Sequence, residues 1–177
     1  MKTKFILLIA FLAIGSGAFA QRHLKGIKGV DILGGITGKG YYGELGFNSY
    51  ISNKLYYNLP IRAEFAEIQG TKFNSYSFNP NINYTLLKPT EWFFISAKGG
   101  ASIYMDSRGS TNSDTSTTYI NDKTTTINYG VFAGIETEVY FSDKVVWIVN
   151  FRQNYNFNST PGHSVWYAGT GVRLNIF

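Results

Sequence analysis

From Ser75 to Leu86 the chain alternates without a slip. Tyr76, Phe78, Pro80, Ile82, Tyr84 and Leu86 fall on one face, and Ser75, Ser77, Asn79, Asn81, Asn83 and Thr85 on the other. Period-two alternation predicts a strand, and this one is long for a soluble domain, where strands run about 5–6 residues. Pro80 has no N–H for the ladder, so a bulge or a missing hydrogen bond is expected there.

The same pattern recurs along the chain. The third strand sets Tyr57, Leu59, Ile61, Ala63 and Phe65 against Asn58, Arg62 and Glu64; the fifth sets Phe93, Ile95, Ala97, Ala101 and Ile103 against Ser96, Lys98, Ser102 and Tyr104. The sixth opposes Ile127, Tyr129, Val131, Ala133, Ile135 and Val139 to Asn128, Glu136 and Glu138. The seventh opposes Val145, Trp147, Val149 and Phe151 to Asn150, Arg152 and Asn154, and the eighth opposes Trp166, Ala168, Val172, Leu174 and Ile176 to Tyr167, Arg173 and Asn175. Strands one (about Lys25–Thr37) and two (about Tyr41–Ile51) are glycine-rich, with Asp31, Glu44 and Asn48 on the polar face.

The breaks alternate between tight and loose. Ser52-Asn53-Lys54, Lys88-Pro89-Thr90 and Ser142-Asp143-Lys144 read as tight turns, whereas Asp106–Lys123 and Asn158–His163 are longer loops. Short turns on one rim and long loops on the other predict an all-β fold: an eight-stranded antiparallel up-and-down transmembrane β-barrel of the outer-membrane type. The short turns then face the periplasm. Aromatic residues beside them (Tyr50, Tyr56, Tyr57, Trp92, Phe93, Tyr140, Phe141 and Trp147) are expected to form the interfacial girdle.

The ends and the composition agree with export. Met1–Ala20 combines Lys2 and Lys4, an apolar run from Phe5 to Ile14 and a small-residue ending, which predicts a signal peptide cleaved after Ala20. The competing reading, a membrane anchor, needs a longer apolar run to cross ~30 Å of hydrocarbon. Residues 21–177 then form one barrel domain. Aromatic residues make up 17% of the chain and charged residues only 15%, as suits walls that face lipid. The net charge of +5 is scattered and forms no stripe, so no direct nucleic-acid binding is expected. Without cysteine there is no disulfide framework, thiolate metal site or lipid-modified N-terminus.

The polar faces collect Arg62, Lys98, Arg152 and Arg173 with Asp31, Glu44, Glu64, Glu136 and Glu138. Near-balance of charge is what a packed lumen requires, because buried charges persist only when paired. A soluble barrel with this face in solvent is the alternative. Eight strands leave just enough room for side chains, so these residues are expected to form a salt-bridged plug, with a pore lining as the other reading. Catalysis has little to work with. His23 lies in the N-terminal tail, and His163 beside Ser164 lacks an orienting carboxylate unless Asp106 or Asp114 approaches through a loop. No cofactor or metal is expected, and the Ser/Thr-rich stretch Ser107–Thr126 reads as a solvated loop.

Three stretches resemble a known family: Ala20-Gln21-Arg22 followed by Lys28-Gly29-Val30; Glu136 through Lys144; and Gly169 through Phe177. In these the chain resembles the TraO proteins of Bacteroidetes conjugative transposons. The resemblance implies a non-enzymatic outer-membrane component of a conjugative DNA-transfer apparatus, with outer-membrane lipid and other apparatus proteins as partners. A small outer-membrane adhesin or minor pore with no role in transfer is the alternative.

Overall fold

The computed structural model describes residues 25–68, 71–109, 125–157 and 164–176. The expected signal segment Met1–Ala20, its cleavage site, most of the expected Asp106–Lys123 loop and all of the Asn158–His163 loop lie outside them. Nine strands run in chain order: β1 (Lys28–Thr37), β2 (Gly40–Tyr50), β3 (Leu55–Ile68), β4 (Thr71–Phe78), β5 (Asn81–Thr90), β6 (Phe93–Gly109), β7 (Thr125–Tyr140), β8 (Val145–Asn156) and β9 (Ser164–Ile176).

All pairings are antiparallel, and β1 pairs with both β2 and β9, so the sheet closes on itself. β4 and β5 both lie between β3 and β6, and together they make one wall segment. The architecture is therefore a closed eight-stranded antiparallel barrel, as the alternation predicts.

The split between β4 and β5 falls at Asn79-Pro80 and is caused by two prolines. Ile61 pairs with Phe78 and Asn58 with Asn81, so the register is unbroken and Pro60 stands opposite Asn79. Asn79 N–H donates to the Pro60 carbonyl (3.0 Å), but Pro60 has no N–H to return. The Asn79 carbonyl accepts instead from Asn81 Nδ2 at 2.9 Å. On the other side, Ala101 N–H donates to the Pro80 carbonyl at 3.1 Å, and Pro80 again returns nothing. The missing hydrogen bond, not a bulge, is the outcome.

Three expected boundaries move. Lys88-Pro89-Thr90 is not a turn: β5 continues through Thr90 with register shifts after Thr85 and Leu87, and the turn is Glu91-Trp92. The irregular end absorbs Pro89, which lacks a ladder donor. The long loop begins later than expected, because β6 extends past Asp106 to Gly109. Lys25 to Ile27 precede β1, with Gly26 at a φ of 92° that favours glycine.

Apolar side chains point outward on every wall segment. Ile32, Leu45, Ile61, Ile82, Ile103, Ile135, Phe151 and Leu174 are all exposed, while their polar neighbours along each strand are buried. In water such a belt is untenable; in hydrocarbon it is the favoured surface, and closure leaves no unpaired strand edge. The girdle expectation needs a correction. Trp92, Phe141 and Trp147 are exposed, but Tyr50, Tyr56 and Tyr140 are buried in the lumen. Strand parity dictates this: Tyr50 is in phase with Asn48, and Tyr56 with Asn58.

Candidate functional site

The lumen holds two charged layers. The inner layer, nearer the short turns, is organised by Arg173 on β9. Its Nε and Nη2 donate to Asp31 Oδ1 (2.7 Å) and Oδ2 (3.1 Å) on β1. Nη1 donates to Glu138 Oε1 (2.7 Å) and the Tyr50 hydroxyl (3.0 Å), and Nη2 also donates to Glu136 Oε1 (3.0 Å). These contacts occupy all five guanidinium donors.

The surrounding carboxylates are likewise enclosed. Lys98 Nζ donates to Glu136 Oε2 at 2.7 Å. The Tyr56 hydroxyl lies 2.8 Å from Glu136 Oε1 and 2.6 Å from Glu138 Oε1, so its single proton is shared between them. Asn48 and Asn58 donate to the two oxygens of Asp31 at 2.7 and 2.9 Å. Buried Leu33, Phe94, Tyr140, Val146 and Ile148 pack as an apolar cluster in the same interior.

The outer layer is built differently. Arg62 on β3 faces its register partner Glu44 on β2, and both Nε (2.9 Å) and Nη2 donate to Glu44 Oε2. Arg152 Nη1 lies 3.8 Å from that same oxygen. Both guanidinium groups stack on the Tyr167 ring, at 4.3 Å for Arg62 and 4.9 Å for Arg152. Arg62 also covers Tyr42, and Arg152 covers Phe132, at 4.2 and 4.5 Å.

The nine charged residues on the expected polar face thus divide three ways. Asp31, Lys98, Glu136, Glu138 and Arg173 form the inner layer, and Glu44, Arg62 and Arg152 the outer one. Glu64 stands at the outer lip, half-buried, where it accepts from Thr37 Oγ1 (3.3 Å) and the Tyr167 hydroxyl (2.9 Å). Closeness to turns assigns the tyrosines that complete the hydrogen bonding, Tyr50 and Tyr56 above all, to the girdle. Their parity is the signal that places them inside.

Beyond the outer layer a cavity of about 50 Å³ opens toward the long-loop rim, lined by Lys39, Arg62, Glu64, Ser75, Asp106 and Tyr167 among others. Lys39 sits in the β1–β2 turn; burial lowers the affinity of its amine for a proton, while Glu64 and Asp106 raise it. Among the described residues no group of three or more His, Cys, Asp or Glu is arranged to hold a metal ion. The Ser164 hydroxyl accepts from Gln153 Nε2 at 2.6 Å; His163 lies outside the described residues.

A closed eight-stranded barrel with an apolar exterior and a filled polar interior is the fold of outer-membrane β-barrel proteins. Solved structures share it. The N-terminal β-barrel domain of Pseudomonas aeruginosa OprF matches with a TM-score of 0.67 at 12% identity, over 86% of this chain and 98% of that one. A major outer membrane protein from Thermus thermophilus matches at 0.73 and 11%, over 85% and 99%. Neisserial surface protein A matches at 0.61 and 16%, over 85% and 96%. No protein-family model matches the chain, and no curated protein does.

Proposed function

We propose that this chain is a non-enzymatic outer-membrane barrel, exported through Met1–Ala20, that acts through its rims rather than through its lumen. The observation that carries this reading is Arg173: fully buried and bonded on every donor, it ties β9 to carboxylates of β1 and β7 across the interior. Lys98, Tyr50 and Tyr56 are buried around it, and an eight-stranded barrel has an interior just wide enough for side chains to fill. In planar bilayers the purified protein is expected to give no unitary conductance. Steady channel openings by the unmodified protein would favour the minor-pore alternative.

Within that reading, the chain serves a conjugative DNA-transfer apparatus. The stretches that resemble the TraO proteins support this by meeting on one rim. Lys28, Gly29 and Val30 pair with Ile176, Asn175 and Leu174. Asn175 N–H donates to the Lys144 carbonyl (2.8 Å), and its side-chain Nδ2 donates to the Asp143 carbonyl (2.9 Å). The β1 start, the β7–β8 turn and the β9 end therefore form one continuous surface beside the periplasm, open to other apparatus proteins. Conjugal transfer frequency in a clean deletion tests the reading. Loss of transfer that is restored by complementation in trans is the expected result; unchanged transfer removes the role and leaves an adhesin-type surface protein.

A further inference from the structure

The charges at the two rims are unequal. At the short-turn rim stand Lys25 and Lys28 where β1 begins, Lys54 in the β2–β3 turn, Lys88 near the end of β5 and Lys144 in the β7–β8 turn, all exposed. Exposed Glu91 and half-buried Asp143 are the acidic side chains there. By position the opposite rim is balanced among the described residues, with Lys39, Lys72 and Arg108 against Glu64, Glu67 and Asp106. None of the five lysines takes part in an ion pair among the described residues, and Lys88 alone has a ring contact, its Nζ standing 5.4 Å over Phe94.

The height and the spread of these lysines favour one kind of partner. Lys28 shares the outward face of β1 with Ile32, and its register partner on β9 is Ile176; both isoleucines are exposed. Ile51 lies just before Lys54, Leu86 and Leu87 precede Lys88, and Phe141 and Trp147 bracket Lys144, again all exposed. The lysines thus stand where the apolar belt ends, at the level of lipid headgroups, and their aliphatic stems can run along its edge while the ammonium groups reach phosphate. They are also distributed round the circumference, on β1, between β2 and β3, on β5 and between β7 and β8. A protein partner meets one side of such a rim, whereas a leaflet surrounds it.

We propose that the short-turn rim binds the anionic headgroups of phospholipids in the leaflet around it, with Lys28, Lys54 and Lys144 as the principal donors. The inference rests on the barrel's place in the outer membrane and not on a role in DNA transfer.

The test uses residues 21–177, the exported form, refolded into phosphatidylcholine vesicles. Trp166→Phe leaves Trp92 and Trp147, both exposed near this rim, as the fluorescent reporters. Quenching by bromine-labelled phosphatidylglycerol is compared with quenching by bromine-labelled phosphatidylcholine. The expected result is a preference of about fivefold for phosphatidylglycerol at low salt, lost at high ionic strength. The triple change Lys28→Gln, Lys54→Gln and Lys144→Gln should abolish the preference while the protein still folds in phosphatidylcholine, and Lys39→Gln at the opposite rim should leave it intact. Equal quenching by the two lipids at low salt, in a protein that folds in the vesicles, would overturn the inference and leave the membrane placement standing. A preference that survives the triple change would also overturn it, and the lysines would then be free for an acidic protein partner.

Discussion

Asp31 and Arg173 are register partners across the seam where the first strand meets the last, and two parallel hydrogen bonds of 2.7 and 3.1 Å join them. The pair sits wholly inside the barrel, at 1% and 0% exposure. Asp31→Asn leaves Arg173 paired with Glu136 and Glu138 but turns an amide nitrogen toward a guanidinium donor, so that a buried charged donor loses its acceptor, which costs about 1–3 kcal/mol. The substitution is therefore expected to lower the unfolding free energy by about that amount, measured by denaturant titration in detergent or lipid vesicles. A loss below about 1 kcal/mol would mean that the seam does not depend on the pair.

Gly169 makes room for Tyr42. A Cβ at Gly169 would collide with the Tyr42 hydroxyl and lie 2.9 Å from the Gly34 carbonyl oxygen. Tyr42 in turn supports Arg62 and donates to Asn150 Oδ1 at 3.2 Å. Gly169→Ala should cost about 1–3 kcal/mol through overpacking. In a Tyr42→Ala background the same change should cost markedly less, and a double-mutant cycle reads the difference. Additive losses would show that the tyrosine ring is not what the glycine accommodates.

The proline-split wall segment makes a further prediction. Asn81 Nδ2 serves the Asn79 carbonyl because Pro60 cannot. Asn81→Ala should cost about 1–3 kcal/mol, since it leaves a buried acceptor unmet. With Pro60→Val also present, a ladder N–H becomes available at that position and part of the cost should return. Equal costs in the two backgrounds would contradict the assignment.

The outward belt predicts a contrast between adjacent positions. Ile61 faces out at 63% exposure while Arg62 faces in at 2%. Ile61→Arg is expected to cost about 2–4 kcal/mol if it sits near the bilayer midplane, whereas Ile61→Leu should be nearly neutral. Refolding into vesicles of defined thickness measures both, and a freely tolerated arginine would argue against lipid contact.

The barrel itself is legible because a strand reports its faces through parity. Asn81, Ile82 and Asn83 alternate in the sequence and in space alike, and the wall can be read from them. Pairing is less accessible. Nothing local to Arg173 names Asp31, since their meeting depends on how the first and last strands register when the barrel closes. Tyr50 and Tyr56 are misplaced when closeness to a turn is weighed above phase. Leu33, Phe94, Val146 and Ile148 are hidden for a different reason: a lumen thick enough to be packed dry accepts apolar side chains, which binary patterning assigns to the outside. The Lys88–Thr90 boundary misleads because Pro89 suggests a turn but also suits an irregular strand end.

Arg173 lies 142 positions beyond Asp31 and 35 beyond Glu138. The principal cation of the inner layer is thus carried by the strand that closes the barrel. Until β9 arrives, Asp31, Glu136 and Glu138 lack their principal cation, and a partly assembled wall that holds them is poorly suited to hydrocarbon. Contacts so distant along the chain form late and slowly. Closure and charge neutralisation therefore coincide, and β9 works as a latch that makes the barrel fit for the membrane once it has joined β1.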